Sequence, residues 1–465
     1  MIATAESNPG RGQLKRRILK AASWIVGGQL LSQLMRLASN VVLTRMLAPD
    51  AFGLMSVVTV LTMALGLFSD LGIDRSIVQS RRGEDPAMLN TAWTIQVIRS
   101  YGLALGCLLV AGGSALAIRL DIAKAGSVYA DPRLPWVMAA FAIMPAIYAF
   151  NSIRMGLARR AMAMHMLTKI DLLSQLLAAI AMISLAWWTH SIWALVIGAI
   201  TASLVRCVAG HLLLHGHREK FQLESAAVTE LMSHAKWIFL SSILTFMAMN
   251  GDRLFLGGVI NARTFGIYAI ALSILNVLQG LASTLSNSIA YPAVSEVYRE
   301  RPEALGSVVA RFQMSYDATV TFLAALLITA GPALIHLLYD ARYQDAGWML
   351  SILAAGTIGL RYQIVEQCYQ AVGLTKYMTF ANLFRLIFLA LGLFLGQHLN
   401  GMKGAIVGTA MSQFAAWPIA IWFKAKHGIL SFRAEAALLP AIFLGLSAGW
   451  VLSGLAQWVF PHRFL

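Results

Sequence analysis

The chain has 465 residues, 58% hydrophobic and only 12% charged, with a formal net charge of +15 at pH 7. Soluble domains carry about 25% charged residues, so this composition and a mean hydropathy of +0.69 exclude an ordinary water-soluble enzyme. Apolar runs of about 20 residues, the length that crosses a bilayer as helix, recur from end to end, and the alternating segments of about 10 residues that a membrane barrel needs are not visible.

Residues 1–19 are polar and basic, with Arg11, Lys15, Arg16 and Arg17, and Lys20 follows. The apolar run after them is too long for the core of a cleavable signal, so the segment reads as a cytoplasmic tail. About thirteen spans are predicted, near 20–46, 52–76, 89–118, 134–153, 166–188, 191–213, 232–259, 264–291, 308–337, 347–372, 376–397, 402–423 and 435–460. Pro145, Pro332 and Pro418 fall inside spans, where they are expected to kink helices. The fold class is therefore all-α and polytopic. An N-terminal six-helix lobe is placed at 20–213, a polar cytoplasmic linker at 214–231, a second six-helix lobe at 232–425, and an extra C-terminal helix or hairpin at 426–465.

Orientation follows from lysine and arginine in the connections. With the N-terminus in the cytoplasm, 23 basic residues fall inside and eight outside, and the remaining five of the 36 lie within spans. Most of the positive surplus thus faces an anionic inner leaflet, which argues against a nucleic-acid partner.

Residues 22–57 and 235–270 align without a gap. Ala22, Trp24, Ile25, Phe52 and Gly53 fall on Ala235, Trp237, Ile238, Phe265 and Gly266. The match predicts two homologous lobes. Each has an even number of helices, so both enter the membrane in the same sense, with a cavity between them.

In the first span Gln29, Gln33, Arg36, Asn40 and Thr44 are spaced to form one stripe at helical period. A polar stripe on a spanning helix faces protein or water rather than lipid, so it is read as a cavity wall. Four more arginines, Arg99, Arg253, Arg361 and Arg385, lie deep in spans. A charge in hydrocarbon costs roughly 2.5–3.5 kcal/mol on insertion scales. Such a residue must pair with an acid, face water or hold an anion. Arginine suits phosphate because its planar fork donates paired hydrogen bonds and stays charged. Candidate cavity residues are therefore Gln33, Arg36, Asn40, Arg99, Arg253, Arg361 and Arg385. The intramembrane acids Asp70, Asp171, Asp252 and Glu366 are candidate ion-coupling groups; Asp317 is a further deep acid. Arg361 and Glu366 are five apart on one helix, which disfavours a pair between them.

Cys107, Cys207 and Cys368 lie far apart in or beside apolar spans and read as small apolar residues. His211, His215 and His217 sit by the basic linker and read as an interfacial patch rather than a metal site. No phosphate-cradling glycine loop is present, and no metal or cofactor is expected.

The chain resembles the Wzx-type polysaccharide exporters of the multidrug/oligosaccharidyl-lipid/polysaccharide flippase superfamily, and looks most like the exopolysaccharide exporter branch. The likeness rests on residues 45–54 (RMLAPDAFGL), 68–73 (FSDLGI) and 76–79 (SIVQ), with 290–294 (AYPAV) in the second lobe. The resemblance implies a V-shaped fold that flips undecaprenyl-diphosphate-linked oligosaccharide repeat units across the inner membrane, with no enzymatic step. It implies membrane lipids, a polysaccharide polymerase and chain-length or export machinery as partners. Many relatives have fourteen spans against the thirteen counted here. Three other readings compete. A multidrug or cation antiporter of the same superfamily would want an acidic cavity. A membrane polymerase or glycosyltransferase would need catalytic acids on a large outside loop. A structural scaffold for an assembly complex is separable by whether export fails in point mutants that keep the complex intact.

Overall fold

The computed structural model describes residues 9–68, 77, 80, 82–232, 235–374 and 376–461, and among them there is no strand. The first half of the chain forms α1 (Pro9–Met46), α2 (Pro49–Phe68), α3 (Pro86–Arg119), the short α4 (Leu134–Phe141), α5 (Ile143–Tyr148) and α6 (Arg154–Arg160), then α7 (Met164–Thr189) and α8 (Trp193–Leu213). Helix α9 (Ser225–Met232) lies in the linker. The second half forms α10 (Ala235–Val259), α11 (Ala262–Thr284), α12 (Tyr291–Glu300), α13 (Leu305–Tyr316), α14 (Phe322–Leu338), α15 (Ala346–Ile358) and α16 (Gln363–Ala371). It closes with α17 (Lys376–Ser412), α18 (Trp417–Lys426), α19 (Phe432–Ala436) and α20 (Leu438–Val459). Among the described residues, nine helical segments are long and apolar enough to cross a membrane.

Local chemistry sets the breaks. Asp85 accepts the Ala87 N–H and Pro86 opens α3, a capped start in which proline's missing donor costs nothing. The fourth span, expected as one helix, is broken between α4 and α5 just before Pro145. Pro332 stays inside α14. Pro418 opens α18 after a 3₁₀ turn at Gln413–Ala416, so there it starts a helix instead of kinking one. Helix α17 folds back at Asn400 and Gly401, whose φ of +53° suits glycine, so it is a hairpin of two legs. Wide π turns at Leu285–Ala290 and Asp317–Thr321 join α11 to α12 and α13 to α14.

The repeat offset of 213 residues seen in the first hairpin runs on through the lobes. Helix α1 ends at Met46 and α10 at Val259; α2 starts at Pro49 and α11 at Ala262. The 3₁₀ turns Val128–Ala130 and Ala341–Tyr343 keep the same offset. Each of these turns docks on the other lobe. Val128 donates its N–H to the Ile260 carbonyl at 3.2 Å, and the Tyr343 hydroxyl donates to the Leu47 carbonyl at 3.2 Å. Leu47 and Ile260 are again equivalent positions. Tyr129 adds a bond to the Leu254 carbonyl at 2.8 Å, and Arg342 one to the Thr44 carbonyl at 2.8 Å.

These bonds mark the end where the lobes are joined. One hydrophobic core spans both lobes there, with Leu43, Leu47, Leu54 and Val58 packed in the same cluster as Leu256, Phe265, Tyr268 and Tyr343. Toward the opposite end the cores separate. One lies wholly in the second lobe around Val294, Tyr316 and Phe423, and two lie in the first lobe. The lobes are thus joined at the end that holds the α1–α2 turn, and their cores part toward the end that holds the linker, while α1 and α11 stay in contact at Gln33 and Gly280.

The linker belongs to the first lobe. Ala227 and Leu231 of α9 share a core with Met88, Trp93 and Ile153. Arg82 pairs with Glu224 at 2.8 Å, and Asn90 donates to Gln222 at 2.9 Å. Partial burial opposes ionisation of Glu219, but the Ser152 hydroxyl and the Ile153 N–H donate to it and hold its carboxyl below the usual range.

Candidate functional site

A cavity of about 700 Å³ lies between the lobes, walled by α1, α2, α7 and α8 from the first and by α10 and α11 from the second. Its wall on α1 is the polar stripe: Gln29, Gln33, Arg36 and Asn40 line it, joined by Ser32 and Ser39. Thr44, the last member of the stripe, is fully buried outside the cavity, where the lobes have closed. Gln33 donates across the lobe boundary to the Asn276 carbonyl at 3.4 Å.

Among the described residues, three cations and one anion line this space: Arg36, Arg206, Arg253 and Asp171. Arg36 is exposed to it, and among the described residues its guanidinium donates only to Ser32 Oγ, at 3.4 Å. Arg253 is half-buried and donates to Asn250 Oδ1 at 3.2 Å, while its Nε is buried with no acceptor. Neither guanidinium has a carboxylate among the described residues within ion-pair distance. Arg206 pairs with Asp171 at 3.1 Å. Burying a guanidinium without acceptors is costly, so a wall that leaves two of three unpaired favours an anion.

The other deep arginines sit elsewhere. Arg361 is 1% exposed and clamped by Asp317, which is fully buried: Nε donates to Oδ1 at 3.1 Å and Nη2 to Oδ2 at 2.5 Å. Its Nη1 reaches Glu435 at 2.8 Å and its Nη2 the Ala434 carbonyl at 2.9 Å. Lys424 and Tyr362 donate to the same Glu435 carboxylate. This network ties α13, the α15–α16 junction, α18 and α19 into one lobe. Arg385 is 3% exposed and lies 2.7 Å from Glu366, close enough for an ion pair although the angles miss hydrogen-bond geometry. Arg99 donates to the Gly66 carbonyl at 3.3 Å and does not line the cavity. The five arginines therefore do not share one wet space: Arg36 and Arg253 face it, while Arg361 and Arg385 are locked to carboxylates because the second lobe supplies acids within reach. As expected, Arg361 and Glu366 do not pair with each other.

Of the acids, Asp70 lies outside the described residues. Asp171 faces the cavity. Asp252, next to Arg253, is buried and accepts the Tyr268 hydroxyl. It borders a smaller cavity of about 50 Å³ with Gln279, Thr357, Thr409 and Gln413, which Arg253 also lines. His211 and His217 contact the Cys207 carbonyl and Asn90 Oδ1, and no group of three metal-ligating side chains gathers among the described residues.

Sequence reasoning missed Arg206, Gln175 and Asn276 as lining residues. By position Arg206 counts among the 23 basic residues on the inside. The usable signal was that Arg206 lies a full two turns before the helix ends at Leu213.

The comparisons with known proteins agree with this architecture. The family described as "polysaccharide biosynthesis protein" matches residues 42–347. Among solved structures, lipid II flippase MurJ in an inward closed conformation aligns with a TM-score of 0.68 at 11% identity, covering 95% of this chain and 99% of that one. An inward-facing multidrug resistance MATE transporter of the MOP superfamily aligns at 0.63 and 14% identity, over 88% of this chain and 98% of that one. A MOP superfamily transporter from Pyrococcus furiosus aligns at 0.58 and 15% identity, over 89% and 96%. At these identities the likeness is one of fold. No curated protein matches the chain.

Proposed function

The chain belongs to the polysaccharide biosynthesis protein family and is a multi-pass membrane protein with the MOP-superfamily transporter fold; from that premise we propose that it flips undecaprenyl-diphosphate-linked oligosaccharide repeat units across the bacterial cytoplasmic membrane. The observation that carries this reading is the charge balance of the cavity, three arginines against one carboxylate among the described residues. The diphosphate sits between Arg36 and Arg253, whose guanidinium forks replace its lost hydration. The serine, asparagine and glutamine side chains of α1 and α7 offer donors and acceptors to sugar hydroxyls. The polyprenyl tail stays in lipid beside the protein.

On the positive-inside bias we place the linker, and with it the end where the cores part, in the cytoplasm. The cavity then loads from inside, and rocking of the lobes exposes it outside as the joined end parts. The chain holds no nucleotide-binding loop, so an ion gradient is the natural drive. We assign coupling to Asp252, because an ion or proton taken up there changes the field on Arg253 beside it. The product feeds a polysaccharide polymerase and its chain-length or export machinery in exopolysaccharide or lipopolysaccharide assembly. A cation antiporter would want the opposite charge balance in this cavity.

The test is a strain whose only copy carries Arg36→Gln and Arg253→Gln. It should hold normal amounts of the protein in its membranes, accumulate lipid-linked repeat units on the inner leaflet and lose surface polymer. Normal polymer at normal protein level would overturn the reading.

A further inference from the structure

The pair formed by Arg206 and Asp171 has no counterpart elsewhere in the cavity. Side-chain exposure is 38% for Arg206 and 52% for Asp171, so both are open to the cavity. Arg206 Nε is buried without a hydrogen-bond partner, so the carboxylate takes up only part of the fork. Among the described charged groups of the wall, the two sit farthest from the joined end. Arg253 lies six residues before the joined-end terminus of α10, and Arg36 ten before that of α1. Arg206 lies thirteen residues after the start of α8, and Asp171 eighteen before the end of α7. At 1.5 Å per residue the depths from the joined end are about 9, 15, 20 and 27 Å. The cations form a ladder, and the rung that an incoming ligand meets first is the one covered by an acid.

We propose that Arg206 is a third anion ligand of the cavity, and that Asp171 competes for it so that the site selects a multiply charged phosphate over a monoanion. The proposal rests on the reading of the cavity as a polyprenyl-diphosphate site. Its logic is an exchange of partners. Solvated ion pairs are weak, so a ligand can displace Asp171 at small cost. A monoanion that does so replaces one negative charge by another and gains little. A diphosphate brings two or more charges and enough oxygens to engage the free Nε as well as both terminal nitrogens, so it gains on the exchange. Monoanionic lipid head groups of the surrounding membrane are thereby kept out of a cavity that is otherwise cationic.

Isothermal titration of the full chain in lipid nanodiscs tests this, with inorganic pyrophosphate and dimethyl phosphate as probes of high and single charge. The wild type should prefer pyrophosphate. Asp171→Asn should tighten dimethyl phosphate by about fivefold or more while changing pyrophosphate less, so the preference falls. Arg206→Gln should weaken pyrophosphate about tenfold, and in the double variant the gain from Asp171→Asn should vanish. Asp171→Glu should keep the wild-type preference. Should Asp171→Asn fail to fold, Asp171→Ser makes the same test, since it too removes the competing carboxylate. An unchanged preference in Asp171→Asn, or a gain that survives removal of Arg206, overturns the proposal. If pyrophosphate binding depends on Arg36 and Arg253 while these results fail, the cavity reading stands and only the selectivity role falls. If the wild type binds neither probe, both fall.

Discussion

Gly53 and Gly266 meet backbone to backbone across the boundary between the lobes. A Cβ on Gly53 would fall 2.0 Å from the Ala262 carbonyl oxygen, and one on Gly266 would fall 1.7 Å from that of Pro49. The contact is reciprocal, because Pro49 and Ala262 are themselves equivalent positions of the repeat. The axis relating the lobes therefore passes between these two glycines, at the end where the lobes are joined. Helices α2 and α11 can approach this closely only because neither residue has a side chain.

A methyl group at either position should prop the joined end apart. Gly53→Ala or Gly266→Ala is expected to destabilise the closed joined end by about 1–3 kcal/mol, the usual cost of overpacking. A cysteine introduced at Ser39 in the cavity should then react faster with an impermeant thiol reagent added from outside in the variant than in its glycine parent. Equal labelling rates in both would show that this contact does not seal the cavity.

Acid should loosen the same end only under extreme conditions. Partial burial of Asp340 opposes ionisation, but Arg342 donates to it and holds its carboxyl below the usual range. Arg342 in turn binds the Thr44 carbonyl of the other lobe. The stabilisation from a depressed carboxylate is complete above its free value of about 3.9 and is lost as pH falls through the lower folded value. Labelling at position 39, divided at each pH by that of a free thiol so that the thiolate's own pH dependence cancels, should therefore stay flat from pH 8 to about 5 and rise only below about 4. Asp340→Asn should abolish that acid dependence. A rise near neutral pH would contradict the assignment.

Buried arginines of the second lobe should behave differently from those of the cavity. Arg361→Gln leaves Asp317 buried without its partner, a change that costs about 3–5 kcal/mol. It should lower the thermal midpoint by several degrees and cut the protein recovered from membranes. Arg36→Gln, at an exposed site, should change stability by no more than about 0.5 kcal/mol. Equal thermal midpoints for the two variants would refute the division drawn here between structural and functional arginines.

The architecture was legible in sequence because membrane helices announce themselves by length and apolarity, and because the 213-residue offset survives in both lobes. The stripe on α1 also read through, since Gln29, Gln33, Arg36 and Asn40 recur at helical period and do line the cavity. Partnership was not legible. Arg253 and Arg361 look alike in sequence, yet one lines the cavity and the other is clamped by Asp317 from 44 residues away. Only packing decides which acid reaches which base. Arg206 was hidden for the opposite reason: its place near a span end made it look like part of the inner basic belt. The exchange of 3₁₀ turns between lobes depends on backbone carbonyls, which carry no mark in the sequence.

The central claim is that Arg36 and Arg253 hold a lipid diphosphate as it crosses. The most direct measurement is flipping of a fluorescent polyprenyl-diphosphate sugar in proteoliposomes, followed by quenching of the outer leaflet. The wild type should move the probe, and the Arg36→Gln, Arg253→Gln double variant should move it at least about a hundredfold more slowly, as expected when two charge-assisted contacts are lost. Flipping by the double variant at the wild-type rate would contradict the account.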